Sequence, residues 1–175
     1  NAKGYQIWAD AIIDTVKKML LEDPSRLVPN FTKPSTITKV AKIEESIVSG
    51  KVGTGAKSLE KLLTDKNEKT AEAATASMSV VTAWQSGIDA EIERLRQEGD
   101  VFSANEFASG MTVAYAGGDT ASVKIYKDLA AELKKDPAYA AGQAFQKLKA
   151  FSFVERKDAR FAKMVEGFVK KFPDG

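Results

Sequence analysis

The chain has 175 residues, 43% of them apolar and 29% charged, with a formal net charge of +2. That is length and apolar content enough for one globular domain, and the near-balanced charge creates no whole-molecule field that would select nucleic acid or an acidic substrate. Cysteine and histidine are both absent, which removes disulfides, thiolate nucleophiles, sulfur-ligated metals and the commonest general base; any catalysis would have to run on carboxylates or lysine.

No run reaches the roughly 18 apolar residues of a membrane-spanning helix. The chain opens at Asn1 rather than methionine, as it would after removal of an export or organelle-import segment, or of any other upstream residues. The compartment stays open.

A first helix is expected from about Tyr5 to Leu21, with Trp8, Ile12, Val16, Met19 and Leu20 on one stripe and Asp23-Pro24 as its stop. Residues 22 to 35 then hold Pro24, Pro29 and Pro34, with Leu27, Val28 and Phe31 between them. This reads as an extended strap laid across the bundle on its apolar residues. Asn30-Phe31-Thr32 is a glycosylation sequon, meaningful only in a secreted eukaryotic chain. Ser35 is expected to cap a helix running to about Ser49, with Ile37, Val40, Ile43 and Ile47 inward and Gly50 as its end. A short helix over Ala56 to Leu63 should follow, then a turn at Asp65 to Asn67.

The element that organises the chain is predicted from Lys69 to Glu98, a proline-free stretch with Gly87 as its one glycine. Ala74, Met78, Val81, Ile88, Ile92 and Leu95 recur at helical spacing, with Gln85 in the single polar slot of that series. Such a helix is about 45 Å long. Small residues crowd its start (Ala71, Ala73, Ala74, Thr75, Ala76, Ser77 and Ser79), permitting close packing against a neighbouring helix.

Beyond Gly99-Asp100, Ser103 to Glu106 has the form of a capping box opening a helix with Phe107, Met111, Ala114 and Tyr115 inward. Gly117-Gly118 break it, and Asp119 or Thr120 caps the next, whose stripe is Val123, Tyr126, Leu129, Ala130 and Leu133. Asp136-Pro137 starts another, expected to bury Ala141, Phe145 and Leu148. A second capping box, Ser152 to Glu155, is expected to open the last helix, with Phe161, Met164, Val165, Phe168 and Phe172 inward. No alternating strand pattern occurs. The fold class is all-α: one domain over 1–175, an antiparallel helical bundle or stacked helical hairpins of about seven helices.

Gly110 to Asp119, followed by a helix to Asp136-Pro137, resembles a tetratricopeptide hairpin, and the last helices end similarly at Pro173-Asp174. The two prolines lie 36 residues apart, near that family's period of about 34. Counted from Tyr115, the family's small-residue position falls on Lys124 and its proline position on Asp136. Only residues 103–175 take part, so the resemblance implies stacked antiparallel hairpins rather than membership.

Chemistry-bearing motifs are scarce. Gly50 to Ser58 suggests a phosphate-binding loop, but Ala56 separates Gly55 from Lys57, no apolar strand precedes it, and the segment reads instead as a flexible linker. Asp89, Glu91, Glu93 and Glu98 share the long helix with Arg94 and Arg96, a pattern of surface ion pairs rather than a paired-carboxylate site. No cofactor and no metal are expected. Residues 143–175 are compositionally distinct, holding six of nine phenylalanines and eight basic residues against four acidic ones.

These features favour a non-enzymatic helical interaction protein: a scaffold, adaptor or extrinsic subunit docking on a protein partner or larger assembly. Its expected contact residues are Phe31 on the strap and Arg156, Lys157, Arg160, Lys163, Lys170 and Lys171 at the C-terminal end. A peripheral membrane surface is a second kind of partner for that basic stretch, and the interspersed acids disfavour nucleic acid. The alternative function is a carrier of a small hydrophobic ligand, with a pocket drawn from Trp8, Met78, Trp84, Phe107, Met111, Phe161 and Phe168.

Overall fold

A computed structural model describes residues 28–154 and 159–173. The expected helix over 5–21 with Trp8 lies outside the described residues, as do Arg156 and Lys157; Arg160 is described in its backbone alone. The described chain is all-helical, with seven helices and no strand. In order they are α1 (Thr38–Val48), α2 (Val52–Glu60), α3 (Glu68–Gln97), α4 (Val101–Ala114), α5 (Thr120–Leu133), α6 (Pro137–Val154) and α7 (Ala159–Lys171).

The thirty-residue α3 coincides with the predicted long helix to within a residue at each end. Asn67 caps it by accepting the Thr70 N–H at 3.3 Å, Glu68 sits in the first turn, and Arg94 and Arg96 in the last. Both charge placements oppose the helix dipole. Gly99, at φ +79°, closes it in a conformation that a side chain would strain. Of the predicted stripe, Ala74, Val81, Ile88, Ile92 and Leu95 are buried and Met78 is half-buried.

Helix α3 packs against α1, α2 and α4. A second hub serves the C-terminal half: α4 packs against α3, α5 and α6, and α7 packs chiefly on α6. The core is continuous from Val40 and Ile47 of α1, through Leu59 of α2 and the α3 stripe, to Phe107, Met111, Tyr126 and Leu133. Ile47 and Leu59 are fully buried, each contributing about 1.5–3 kcal/mol of apolar transfer.

Several local expectations are corrected. Ser35 is not the cap of α1: Ile37 holds that position with no side-chain bond, and the Ser35 hydroxyl instead accepts the Ile37 N–H at 3.1 Å, rounding off the strap. The second helix begins at Val52 rather than Ala56, so the glycine-rich stretch read as a linker is helical. A Cβ on Gly53 would stand 2.5 Å from the Tyr115 carbonyl oxygen, one on Gly55 would strike the Ile47 side chain, and one on Gly118 would strike the Gly53 backbone. The glycines serve close approach, not flexibility. Asp100, not Ser103, caps α4, accepting the Ser103 N–H at 3.0 Å. Ser152 lies inside α6, which runs through it to Val154, so it does not open the last helix. Phe145, expected in the core, is 54% exposed.

Candidate functional site

Three surfaces gather polar and aromatic side chains. The first runs along the middle of α3, where Gln85 occupies the one polar slot of the buried stripe. The Tyr115 hydroxyl donates to Gln85 Oε1 at 2.7 Å, Gln85 Nε2 donates to the Tyr126 hydroxyl at 3.2 Å, and that hydroxyl donates to Asp89 Oδ1 at 2.6 Å. The Tyr115 and Tyr126 rings stack with centroids 6.1 Å apart, and Trp84 stacks on Tyr115 at 6.4 Å. This chain of donors, ending on a carboxylate, ties α3 to the end of α4 and to α5.

Burial pushes the Tyr115 phenol up to about 12, and the negative charges of Asp89 and Asp119 add to the shift. Tyr126 is also raised well above the ordinary phenol value, first by burial and then by its bond to Asp89. Both shifts favour the neutral phenol, the opposite of what an activated nucleophile or base requires. The network therefore acts as a structural clamp. Because the folded state holds these protons more tightly than the unfolded chain, their stabilisation is fully present below the unfolded phenol value of about 10. It is lost as pH rises through about 12 for Tyr115. Denaturant midpoints should accordingly fall across that alkaline window, and Tyr115→Phe with Tyr126→Phe should flatten the dependence; an unchanged slope in the double variant would contradict the assignment.

Clefts of about 340 and 510 Å³ flank Gln85. The larger lies between α2, α3 and the start of α5 and is lined by Lys57, Glu60, Met78, Thr82, Tyr115 and Asp119 among others. Asp119 caps α5, accepting the Ala121 and Ser122 N–H groups at 2.9 and 3.0 Å. Its carboxyl is held below the usual range by the Ser122 hydroxyl and those two N–H groups, with Lys57 adding a smaller pull.

The second surface is a groove of about 690 Å³ beneath the strap, lined by Phe31, Ser35 and Ile37 on one side and Glu44, Lys69, Glu72 and Ser77 on the other. Pro29 is fully buried and Phe31 packs partly against the core, so the described part of the strap is seated on its apolar residues as expected. Glu44 fastens it. The residue is 4% exposed, and its carboxylate accepts the Ser35 N–H at 2.8 Å and the Ser77 hydroxyl at 2.6 Å.

The third surface is the C-terminal hairpin of α6 and α7. The α7 stripe of Phe161, Met164, Val165, Phe168 and Phe172 faces inward but is only half-buried. Phe145, Phe168 and Phe172 form a row of rings at 6.2 and 5.3 Å, and Val169 is 58% exposed. Lys163, Lys170 and Lys171 are all exposed. Lys171 lies over the Phe172 ring at 5.3 Å.

The four carboxylates at positions 89, 91, 93 and 98 separate. Glu91 and Glu98 pair with Arg94 at 2.6 and 2.5 Å, Glu93 lies 3.5 Å from Arg96, and Asp89 belongs to the tyrosine network. Among the described residues no cluster of three or more histidine, cysteine or acidic side chains could hold a metal. The residues named for a ligand pocket are distributed: Phe107 and Met111 are core, Trp84 belongs to the aromatic stack, Met78 lines the 510 Å³ cleft, and Phe168 is in the hairpin. No helix of the described residues is long and apolar enough to cross a membrane. No protein-family model, curated protein or solved structure matches this chain.

Proposed function

We propose that this is a non-enzymatic docking protein, a scaffold, adaptor or extrinsic subunit that attaches to a partner protein or larger assembly through its C-terminal hairpin. The observation that carries the reading is the incomplete cover of that hairpin by the other described residues. Helix α7 packs chiefly on α6, and Phe145 and Val169 stand more than half exposed. Lys163, Lys170 and Lys171 of α7 are exposed, Lys171 lies over the Phe172 ring, and no ion pair among the described residues holds any of the three. Exposed aromatic groups supply anchoring area and peripheral lysines steer encounter. Phe31, half-buried on the strap, is a contact at the margin of the groove rather than a free anchor.

Native mass spectrometry of the protein isolated gently from its natural source tests this. Stoichiometric complexes with other chains are expected. A small-molecule adduct lost on denaturation, without any protein partner, would overturn the docking reading in favour of a carrier.

A further inference from the structure

Helices α3 and α5 both pack on α4 but scarcely on each other, and clefts run together along the trough between them. The cleft of about 510 Å³ shares Gln85 and Ser122 with the one of about 340 Å³. That one shares Glu93 and Arg96 with a third, of about 290 Å³, which reaches Asp136. Lining residues recur at three- and four-residue spacing on both walls, as in Gln85, Asp89, Ile92 and Arg96 of α3 and Ser122, Ile125, Leu129 and Glu132 of α5. Each helix therefore gives one face to a single groove. Its α3 wall, from Met78 to Gln97, is about 28 Å long, which matches about five turns of a further helix.

The middle of the groove is apolar. Ile92 is buried in it, Leu129 is half-buried, and Ile125 stands 63% exposed. Carboxylates gather at both ends, Glu60 and Asp119 at one and Glu93, Glu132 and Asp136 at the other, with Asp89 between them. Lys57 and Arg96 are the only cations among the lining residues, so the groove is negative in a chain whose net charge is +2. No ion pair among the described residues holds Glu60, Asp89 or Asp136.

We propose that this groove is a second docking site, and that it receives a cationic amphipathic helix of a partner protein. The apolar stripe of that helix seats on Ile92, Ile125 and Leu129, and lysines or arginines towards its ends meet the two carboxylate groups. Charge selects the sign of the occupant. The open isoleucine selects an amphipathic segment over a small polycation, and a helix in a groove presents just such an i, i+3, i+4, i+7 stripe. Arg96 crosses the groove to Glu132 at 3.8 Å and meets Glu93 at 3.5 Å. Both pairs are long and exposed, so their rearrangement costs little. The groove is separate from the C-terminal hairpin, and the proposal stands without the hairpin reading.

The probe is a fluorescent synthetic peptide of about eighteen residues, with leucines along one face and lysines at both ends, titrated with the full chain. Binding by anisotropy is expected, and it should weaken as salt rises. The same peptide with glutamate for lysine, and a scrambled peptide of the same composition, should each bind at least roughly tenfold more weakly. Ile125→Ser should weaken binding roughly tenfold, whereas Val113→Ser, at a similarly open valine outside the groove, should leave it unchanged. E60K with E132K should weaken it roughly tenfold or more, and E45K with E106K, at exposed acids outside the groove, should change it far less. K163E with K170E and K171E should bind the peptide as the wild type does. Circular dichroism checks that every variant is folded.

No binding, equal binding of the scrambled or acidic peptide, or equal losses within either pair of matched variants would overturn the proposal. Loss of binding in the hairpin variant would also overturn it, by placing the peptide elsewhere. Self-association of the protein alone that Ile125→Ser abolishes would give the groove to a second copy and overturn the partner assignment.

Discussion

Gly53→Ala is expected to destabilise the protein by about 3 kcal/mol, whereas Gly87→Ala should stabilise it by about 0.5–1 kcal/mol. Both glycines lie inside helices, where alanine is intrinsically the better residue by up to about 1 kcal/mol. The difference is what a new methyl group meets. At Gly87 it meets nothing within 4 Å. At Gly53 it meets the backbone of Tyr115, with three atoms between 2.5 and 2.8 Å, and backbone cannot swing aside as a side-chain tip can.

Relief requires α2 to move away from the turn after α4, and that turn also contacts α2 through Gly118. The displacement would pull Tyr115 from Gln85, so the clamp and the packing are lost together. Urea unfolding of the two variants, with the slope checked for constancy, measures the contrast. Effects of the same sign would mean that α2 does not sit where described.

Glu44→Ala is expected to cost about 2–3 kcal/mol and to release the strap. The substitution leaves a void at a site 4% exposed and orphans the Ser35 N–H. The Ser77 hydroxyl loses less, because the Ala73 carbonyl at 3.0 Å is a second acceptor on its own helix. Ser77→Ala removes one donor from the buried carboxylate but leaves the Ser35 N–H on it, and should cost about 1.5–2 kcal/mol without releasing the strap. Limited chymotrypsin digestion provides the specific readout, since Phe31 is half-buried in the seated strap and becomes cleavable when the strap lifts. Destabilisation of Glu44→Ala with no enhanced cleavage after Phe31 would show that the carboxylate supports the core but does not hold the strap.

The sequence carried the helices more clearly than their junctions. Helix α3 is legible because its stripe, cap and closing glycine all agree. Asp119 and Asp136 likewise stand directly before their helices, accepting the N–H groups of Ala121 and Ala138. The start of α2 was hidden because glycine signals a break by its intrinsic preference, and only the positions of Ile47 and Tyr115 reveal that the missing side chains make room.

The polar network was half visible. Gln85 stood out as the wrong residue for its stripe, but its partners lie 30 and 41 positions away in sequence. Glu44 carries a similar signal: it lies four residues after Val40 and seven after Ile37, on the face that is buried. The exposure of Phe145 could not be read from periodicity, which marks an apolar face without saying whether anything covers it.

The central claim is that the C-terminal hairpin is the attachment surface, and the most direct measurement compares two charge-reversal proteins returned to the natural source. The K163E, K170E and K171E protein should lose its place in the stoichiometric complexes that the wild type forms. The K42E, K61E and K66E protein should keep it, with both showing wild-type circular dichroism and similar unfolding midpoints. Retention of the complexes by the hairpin variant, or equal loss in both, would contradict the account.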